Sequence, residues 1–380
     1  MTDLNKNHEN RCYGLVVVKS ENSNFNADFT GNARRLPDEN GTIYATDKTL
    51  KYSIRRFWQD RGKDVFVWRS HLENGNVRTR DERMAYMKSV LSKKENSQTL
   101  KYLEALSWLE QNIKIKKDAV EKLTQEGENE ILSSLIENLK KNLSKDTKDK
   151  DVENMIKNGI DEYRKIITAL VFASCIDTKL FGVTYTGEGP LSLTGPLQIS
   201  YGINKFSDNT NYINDILSPY PTGDDGTTQS SIGKEKKVLE SYYVYDFSLN
   251  PKNITTHYET DDKIVEMFKL NDTEITDLKQ ALKYSVTALD TTSKKDSENA
   301  MLLFVTMKAD NSDKFLPAMK NFIQIKKENG KIEFDLASVY DLLESKKDGI
   351  EKVELFYNEK TTKVTGFKEE NNDWTVDKNL

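Results

Sequence analysis

The stretch GLVVVKSENSNFNADFTGNARRLPDENGTIYATDKTLKYSIRRFW, residues 14–58, decides the fold that we expect for this chain. It opens with the apolar, β-branched run at residues 15–18, which is typical of a buried strand. A long polar loop rich in Asn, Asp and Gly follows. A helix is then predicted from Thr46, because Thr is a good N-cap and Asp47 suits the positive end of the helix dipole.

The predicted helix has two chemically different faces. Its apolar residues share one side at helical spacing: Leu50, Ile54, Phe57 and Trp58. Its cations share another side: Lys48, Lys51 and Arg55, with Arg56 beside them. A row of cations on a helix is usually only its solvated face, and the helix alone favours that interpretation. The adjacent Arg34 and Arg35, in the loop directly before the helix, favour phosphate binding.

Arginine is concentrated in the first quarter of the chain. Lys and Arg together number 56, most of them lysine, and Arg164 is the only arginine after Arg83. The guanidinium group offers a rigid fork of donors that matches a phosphate, whereas lysine offers a single point charge. The asymmetry favours an anion-binding surface in the N-terminal region, and local composition is the alternative explanation.

The overall composition excludes several classes of protein. The chain has 380 residues, enough for one large domain or two ordinary ones, and a formal net charge of −5. A nonspecific nucleic-acid coat would be basic, so any nucleic-acid surface must be a local patch on an acidic body. No apolar run is long enough to span a membrane, and the N-terminus MTDLNKNHENR does not match a secretory signal.

The residues that usually hold metals or act as nucleophiles are few and scattered. The histidines are His8, His71 and His257, and the cysteines are Cys12 and Cys175. None has the spacing of a zinc, redox or protease motif, so we expect no metal, no cofactor and no catalytic residue. The separated cysteines fit a reduced, cytoplasmic compartment.

The middle of the chain is predicted to be a helical insertion. A strand is expected at residues 64–69, DVFVWR, and the chain becomes helical from Arg80. Leucine and isoleucine stripes at helical spacing then predict helices over 98–113, 120–139 and 152–172, joined by a charged link at 140–150. Strands are expected again at 177–185 and between the glycines and prolines of 187–202.

A long polar segment, residues 204–231, precedes three lysines and a tyrosine-rich strand. Glu235 stands where a P-loop needs Ser or Thr, so Lys234, Lys236 and Lys237 are not part of that motif. The strand predicted at 238–249 contains Tyr242, Tyr243 and Tyr245. Basic residues beside aromatics are able to bind single-stranded nucleic acid, but a half-buried strand explains these tyrosines at least as well.

The last third alternates helix and strand. A helix is predicted over 260–289 and strands over 300–307, 331–334 and 351–357. Residues 361–367 are expected to pair back on the last of these as a terminal hairpin around 358–360. The pattern predicts an α+β sheet domain that contains a helical insertion and a long polar loop.

Three blocks of this sequence resemble a known family. They are YGLVVV through SIRRF at 13–57, DTKLFGVTY followed by LTGPLQISYG at 177–202, and IGKEKKVLESYYVY at 232–245. In order and spacing they are similar to the backbone subunit of type I CRISPR Cascade complexes, the RAMP-type Cas-seven family, and most closely to its I-B-like branch.

The resemblance implies an RRM-like (ferredoxin-like) palm with helical fingers and a long thumb loop. The first part of the palm would be residues 1–79, with the guide-binding loop and helix, and the fingers would be 80–172. Palm strands would follow at 173–200 and the thumb loop at 201–237. Residues 238–380 would complete the palm and include the terminal hairpin.

The resemblance also implies partners and a binding surface. Several copies would assemble head to tail along a CRISPR RNA and present it for base pairing with target DNA. The other partners would be the large, small, tail and repeat-processing subunits of Cascade and the recruited helicase-nuclease. The expected RNA-binding residues are Arg34, Arg35, Lys48, Lys51, Arg55, Arg56, Lys234, Lys236 and Lys237. Because any guide must be held, these residues should contact phosphates and not bases.

Two alternatives remain open from the sequence. Related subunits of type III complexes cut target RNA with a loop aspartate, and Asp28 lies in that kind of loop, so metal-assisted cleavage is the enzyme alternative. Against it, Asp in an Asn/Gly-rich loop is commonly a turn former. A free-standing RRM-like RNA-binding protein is the other alternative.

Overall fold

The computed structural model describes residues 6–123, 129–217, 231–254, 262–309, 315–328, 330–369 and 373–380. The helices are α1 Asp47–Asp60, α2 Arg80–Ser92, α3 Gln98–Gln111, α4 Lys117–Glu121, α5 Glu130–Lys141, α6 Asp149–Ser174, α7 Ile176–Phe181, α8 Asp262–Met267, α9 Asp272–Tyr284 and α10 Ala337–Glu344. The strands are β1 Cys12–Ser23, β2 Tyr44–Ala45, β3 Gly182–Tyr185, β4 Leu191–Thr194, β5 Leu197–Ile199, β6 Gly202–Asn204, β7 Asn211–Leu217, β8 Ser231–Leu249, β9 Ser297–Met307, β10 Gln324–Glu328, β11 Lys331–Asp335, β12 Ile350–Tyr357, β13 Thr362–Thr365 and β14 Trp374–Asp377. This mixture of sheets and helices confirms the predicted α+β class.

The chain forms two compact units. We call the first the sheet unit, which consists of Met1–Gly62, Leu197–Pro251 and Leu270–Leu380. We call the second the helical unit, which consists of Lys63–Pro196 and Lys252–Lys269.

The sheet unit is built around β1. The main sheet has the strand order β14-β12-β9-β1-β8-β6-β2, and β5 and β7 also pair with β8. β1 is antiparallel to both neighbours, with Val17 opposite Val244 of β8 and Leu15 opposite Leu303 of β9. The predicted buried strand is confirmed, but it extends well beyond residues 15–18 because its polar continuation also pairs with β8.

Gly14 shows how tightly the centre of this sheet is packed. A Cβ at this position would lie 2.1 Å from the carbonyl oxygen of Leu303 and 2.4 Å from the ring of Phe247. Real side chains do not approach that closely, so a larger residue would force the neighbouring strand or the ring to move.

The centre of the main sheet is covered on both faces. Leu15 and Val17 belong to one core cluster with residues of α10 and of the β10-β11-β13 sheet. On the opposite face Tyr245, the register partner of Val16, donates from its hydroxyl to the carbonyl oxygen of Thr46 at 3.4 Å. β1 is buried on both sides, which explains its continuous apolar run.

The helical unit has its own apolar core. The stripes predicted over 98–113, 120–139 and 152–172 pack together in one cluster that includes Leu109, Leu139 and Ile156. The middle stripe belongs to two helices, α4 and α5, and residues 124–128 between them lie outside the described part of the chain. None of the helices in the described residues is both long enough and apolar enough to cross a bilayer.

Two predicted strands near the helical insertion are wrong. Residues 64–69 form no strand, because the Asp177 carboxylate accepts their Phe66 N–H at 2.7 Å and Val67 N–H at 3.0 Å. Arg83 donates to the Phe66 carbonyl at 3.2 Å. Residues 177–185 begin as α7 and become β3 only from Gly182.

The predicted terminal hairpin is also wrong. β12 pairs with β9 and β14 in the main sheet, whereas β13 pairs in parallel with β11 in the smaller sheet. The polar segment 204–231 is not a plain loop either, since β7 runs antiparallel to the first half of β8. We call this pair the β7–β8 ribbon; residues 218–230 between its strands lie outside the described part. The helix predicted over 260–289 is divided into α8 and α9, with Asn271 capping the second.

Candidate nucleic-acid interface

The loop between β1 and α1 is folded around the carboxylate of Asp28. Its Oδ1 accepts hydrogen bonds from the Thr30 N–H and hydroxyl, each at 2.8 Å, and from the Asn32 N–H at 2.9 Å. These bonds, that from the Thr30 hydroxyl foremost, favour the ionised carboxylate and lower the pKa of Asp28. Asp28 therefore closes the turn that precedes Arg34 and Arg35.

Arg35 uses its guanidinium group to hold this loop in place. Its Nη1 donates to the Gly41 carbonyl at 2.8 Å. Its Nη2 donates to the Asn209 carbonyl at 2.8 Å and to Asn211 Oδ1 at 3.0 Å. Because the fork of donors is occupied by protein oxygens, Arg35 acts in this structure as an anchor between the loop and the start of the β7–β8 ribbon.

Arg34 is placed very differently from its neighbour. Its side chain is half-buried, and within the described residues its buried Nε has no hydrogen-bond partner. A buried donor without an acceptor is costly, and an incoming oxygen ligand would remove that cost. Arg34 thus differs from Arg35, whose donors are occupied by protein oxygens.

The cations of α1 also differ from one another. Thr46 occupies the N-cap position as predicted, although its side chain makes no capping hydrogen bond. Lys48 is exposed in the first turn. Lys51 pairs with Asp47 at 3.0 Å, and only 14% of its side chain is exposed. Further along, Arg55 is half-buried.

Arg56, the last of the predicted cations on α1, is exposed but paired. Its Nε donates to Asp60 Oδ2 at 2.8 Å, one helical turn later, and this bond raises the pKa of Arg56. An exposed pair of this kind is a common feature of a solvated helix face.

A groove of about 410 Å³ lies beside the N-terminal end of α1. We call it the Tyr201 groove. Its lining is Asn26, Arg34, Tyr44, Thr46, Lys48, Thr49, Tyr52, Tyr201 and Lys294. The lining residues, all in the described part of the sheet unit, include three cations and no carboxylate. A groove with that composition is suited to a phosphate-bearing ligand.

Lys294 is a member of the groove that the sequence did not indicate. It lies in the short segment before β9, and its Nζ is 5.9 Å from the centroid of the Tyr52 ring. Burial lowers the pKa of Lys294, so a nearby negative charge would be needed to restore it. No local pattern distinguishes this lysine from the others in the sequence.

A second depression adjoins the first. It measures about 440 Å³, and its lining is Asp28, Asn32, Ala33, Arg34, Arg35, Tyr44 and Asn211. We call it the loop pocket. It shares Arg34 and Tyr44 with the Tyr201 groove, so the two form a continuous polar surface. The structure thus brings together Arg34, Arg35 and Lys48 among the predicted RNA-binding residues.

The three predicted lysines of β8 line neither depression. Lys236 donates to Asn32 Oδ1 at 2.7 Å and buttresses the loop. Lys234 lies 4.0 Å from Asp215 and Lys237 lies 3.6 Å from Glu235. Each of these lysines already has an oxygen partner from the protein.

The tyrosine-rich strand does not provide a stacking surface. Tyr242, Tyr243 and Tyr245 are 2%, 1% and 0% exposed, so the interpretation of these rings as nucleic-acid contacts is wrong. The second half of β8 is covered on both faces, and the alternation of its side chains places Tyr242 in one core and the other two tyrosines in the opposite core. The exposed aromatic rings of the site are Tyr201 and Tyr52, on other elements.

Three comparisons relate the chain to known proteins. A family model described as “CRISPR-associated protein Cas7” matches residues 10–342. No curated protein matches the sequence. A solved structure of a “CRISPR RNA-guided surveillance complex, pre-nicking” is similar with a TM-score of 0.45 and 9% identity, over 94% of this chain and 96% of that chain. Another, of a “CRISPR RNA-guided surveillance complex”, has a TM-score of 0.40 and 11% identity, over 95% of this chain and 96% of that one.

Proposed function

Since the chain belongs to the CRISPR-associated protein Cas7 family, we propose that it is a CRISPR RNA-binding backbone subunit of a type I Cascade surveillance complex. One observation supports this role above the others. The Tyr201 groove gathers Arg34, Lys48 and Lys294 without a carboxylate among its described lining residues. In an acidic chain, such a groove restricts RNA to one surface.

Arg34, Lys48 and Lys294 are the residues to which we assign the phosphate contacts. Arg35 and Lys51, which the sequence also indicated, support the site by fixing the loop and the first turn of α1. The contacts should be independent of base identity, because the guide must be free to vary while its phosphates do not.

The sheet unit is proposed to be the RRM-like palm. Its strand order β9-β1-β8-β6, with α1 after β1 and α9 before β9, supports a ferredoxin-like arrangement. The fingers would lie within residues 80–172 and the thumb within 201–237, and the thumb would include the β7–β8 ribbon as far as Lys237. We also propose that the chain belongs to the I-B-like branch of the family.

Assembly follows from the same role. Copies of the chain would join head to tail along the guide, since a heterologous interface that does not close generates an open filament. The large, small, tail and repeat-processing subunits, the target DNA paired to the guide, and the recruited helicase-nuclease would be the other partners, in the cytoplasm.

The test is to express the subunit from its operon and to sequence the RNA that copurifies with it. A backbone subunit should yield CRISPR RNA of one defined length. Heterogeneous cellular RNA would instead support a free-standing RNA-binding protein, and the absence of RNA would contradict both.

The enzyme alternative has a separate test. Asp28 Oδ1 is already bonded to Thr30 and Asn32, and no group of three or more His, Cys, Asp or Glu side chains in the described residues is placed to hold a metal. We therefore assign Asp28 to loop closure. Incubation of the complex with complementary RNA and Mg²⁺ should leave the RNA intact, and cleavage that disappears in Asp28→Ala would contradict the scaffold role.

A further inference from the structure

The rings of Tyr44 and Tyr201 form a stacked pair on the wall of the Tyr201 groove. Their centroids are 5.5 Å apart and their planes differ by 18°. Tyr201 is nevertheless 46% exposed. Because Tyr44 covers one face of its ring, this exposure leaves the opposite face open to the groove.

The backbone holds Tyr201 in a fixed position. β2 and β6 are paired with Tyr44 opposite Ile203, so Tyr201 is the diagonal neighbour of Tyr44 across the two strands. A Cβ at Gly202 would lie 2.4 Å from the ring of Tyr245, so only glycine lets the chain pass this close to the core. Lys320 Nζ donates to the Tyr201 carbonyl at 3.2 Å.

The cations lie on the same groove as the open ring. Arg34, Lys48 and Lys294 line it together with Tyr201, and Tyr52 adds a second exposed ring. A cationic track beside aromatic faces is the arrangement with which proteins hold single strands, the charges on the phosphates and the rings on the bases. The one amide among the lining residues, Asn26, accepts the Thr46 N–H at 2.8 Å and is engaged with the protein.

We propose that Tyr201 stacks a nucleobase of the bound single-stranded RNA, so that the base extends the Tyr44–Tyr201 pair while Arg34 and Lys48 or Lys294 hold the flanking phosphates. The inference rests on the proposed function and adds to it a position at which the bound strand touches the protein through a base. Stacking tolerates every base, because every base has a π face. The site thus holds a nucleotide without reading its identity.

The experiment uses guide-length RNAs that contain 2-aminopurine at one position at a time, bound to the purified full chain. The wild type should quench 2-aminopurine at the position that stacks on Tyr201. Tyr201→Leu should remove that quenching and weaken binding on the order of tenfold, and Tyr201→Phe should preserve both. Tyr86→Leu, which alters an exposed tyrosine of the helical unit, should change neither.

A second measurement needs no variant and is independent of folding defects. RNA with 5-iodouridine at the quenched position should photocrosslink to Tyr201 of the wild-type chain. Crosslinks to other residues would overturn the stacking. Quenching that persists in Tyr201→Leu would also overturn it. If Lys48→Ala still weakens binding, the proposed function stays intact. A wild-type chain without affinity for RNA would overturn both.

Discussion

The Tyr201 groove and the β7–β8 ribbon both contain cations that the sequence predicts to bind RNA. The two regions differ in whether carboxylates lie next to those cations. In the groove, Arg34, Lys48 and Lys294 have no carboxylate beside them among the described lining residues. On the ribbon, Lys234 and Lys237 lie next to Asp215 and Glu235. The ribbon lysines Lys234 and Lys237 are thus paired with carboxylates, whereas the described residues place one carboxylate near Arg34 of the groove, that of Asp28 in the adjoining loop pocket.

The two regions differ in what the tertiary structure places beside each cation. Spacing along a helix or a strand places the charge on a face, whereas the neighbours that the tertiary structure supplies decide whether the charge is already compensated. Arg34 and Arg35 show the same contrast at adjacent positions, since protein oxygens occupy the donors of Arg35 and leave the Nε of Arg34 unpaired in the described structure.

The largest effect should come from the groove itself. Replacing Arg34 and Lys48 together with Ala should weaken RNA binding on the order of 100-fold, because a hydrogen bond to a charged group contributes about 1.5 kcal/mol or more. The slope of log affinity against log salt should flatten by about 1.4, at about 0.7 per phosphate contact on a single strand. Salt titrations with a labelled guide RNA measure both quantities.

The ribbon provides the matched control. Replacing Lys234 and Lys237 together with Ala removes as many cations as the groove variant, yet should weaken binding no more than about fivefold, since paired surface charges contribute little. If the ribbon variant lost as much affinity as the groove variant, pairing with protein carboxylates would not be what distinguishes the two regions.

A smaller effect should separate two lysines of one helix face. Lys48→Ala should reduce affinity about tenfold and flatten the salt slope by about 0.7, for two unrelated guide sequences alike. Lys51→Ala should have little effect on RNA, because Lys51 is 14% exposed and is paired with Asp47. A loss that depends on the guide sequence would indicate base readout and contradict this assignment.

The sequence predicted the parts of the fold that local periodicity determines. β1, α1 and the stripes of the helical unit follow from runs and spacings inside a single element, and the structure confirms them. The prediction of a terminal hairpin was wrong for a physical reason. Thr362–Thr365 finds its partner in β11, and no local signal shows which earlier strand a short strand will join.

The candidate site was predictable to a similar extent. Arg34, Arg35 and Lys48 stand out because they lie in or just after one polar loop, and the structure brings them together. Lys294 and Tyr201 come from distant segments and reach the groove only through sheet pairing. The prediction that the β8 tyrosines contact nucleic acid was wrong, because a strand that is covered on both faces resembles an exposed aromatic strand in sequence. These residues are Tyr242, Tyr243 and Tyr245.

A further contrast concerns acids. Burial raises the pKa of the Asp246 carboxyl group to about 6. The side-chain Oδ1 accepts the Met319 N–H at 2.6 Å, and the backbone N–H of Asp246 donates to the Ser200 hydroxyl. Because the folded-state pKa exceeds the unfolded value of about 3.9, the folded state binds more protons between about pH 4 and pH 6, and stability falls as pH rises through that window.

Asp246→Asn should remove this pH dependence. The amide keeps an oxygen for the Met319 N–H, and the free energy of unfolding at pH 8 should rise by about 1 kcal/mol, after allowance for solvent screening at a half-buried site. Urea unfolding at pH 4 and pH 8 measures the change. Asp215 of the ribbon has a side chain that is 63% exposed, so Asp215→Asn should leave the pH dependence of unfolding unchanged. A change equal to that of Asp246→Asn would refute the role of burial.

The smallest predicted effect concerns the one ribbon lysine that supports the groove. Lys236 donates to Asn32 Oδ1 at 2.7 Å and to the Thr30 carbonyl at 3.3 Å, so Lys236→Ala should loosen the Asp28 turn by about 0.5–1 kcal/mol. Amide hydrogen exchange should quicken at Asn32, whose N–H donates to Asp28, while β1 stays protected.

Lys234→Ala is the control and should change no exchange rate in the loop, because this side chain is 65% exposed and lies 4.0 Å from Asp215. Equal exchange in both variants would mean that Lys236 is an ordinary paired surface charge, like Lys234. Faster exchange in Lys236→Ala alone would show that the ribbon holds the loop in place through Lys236.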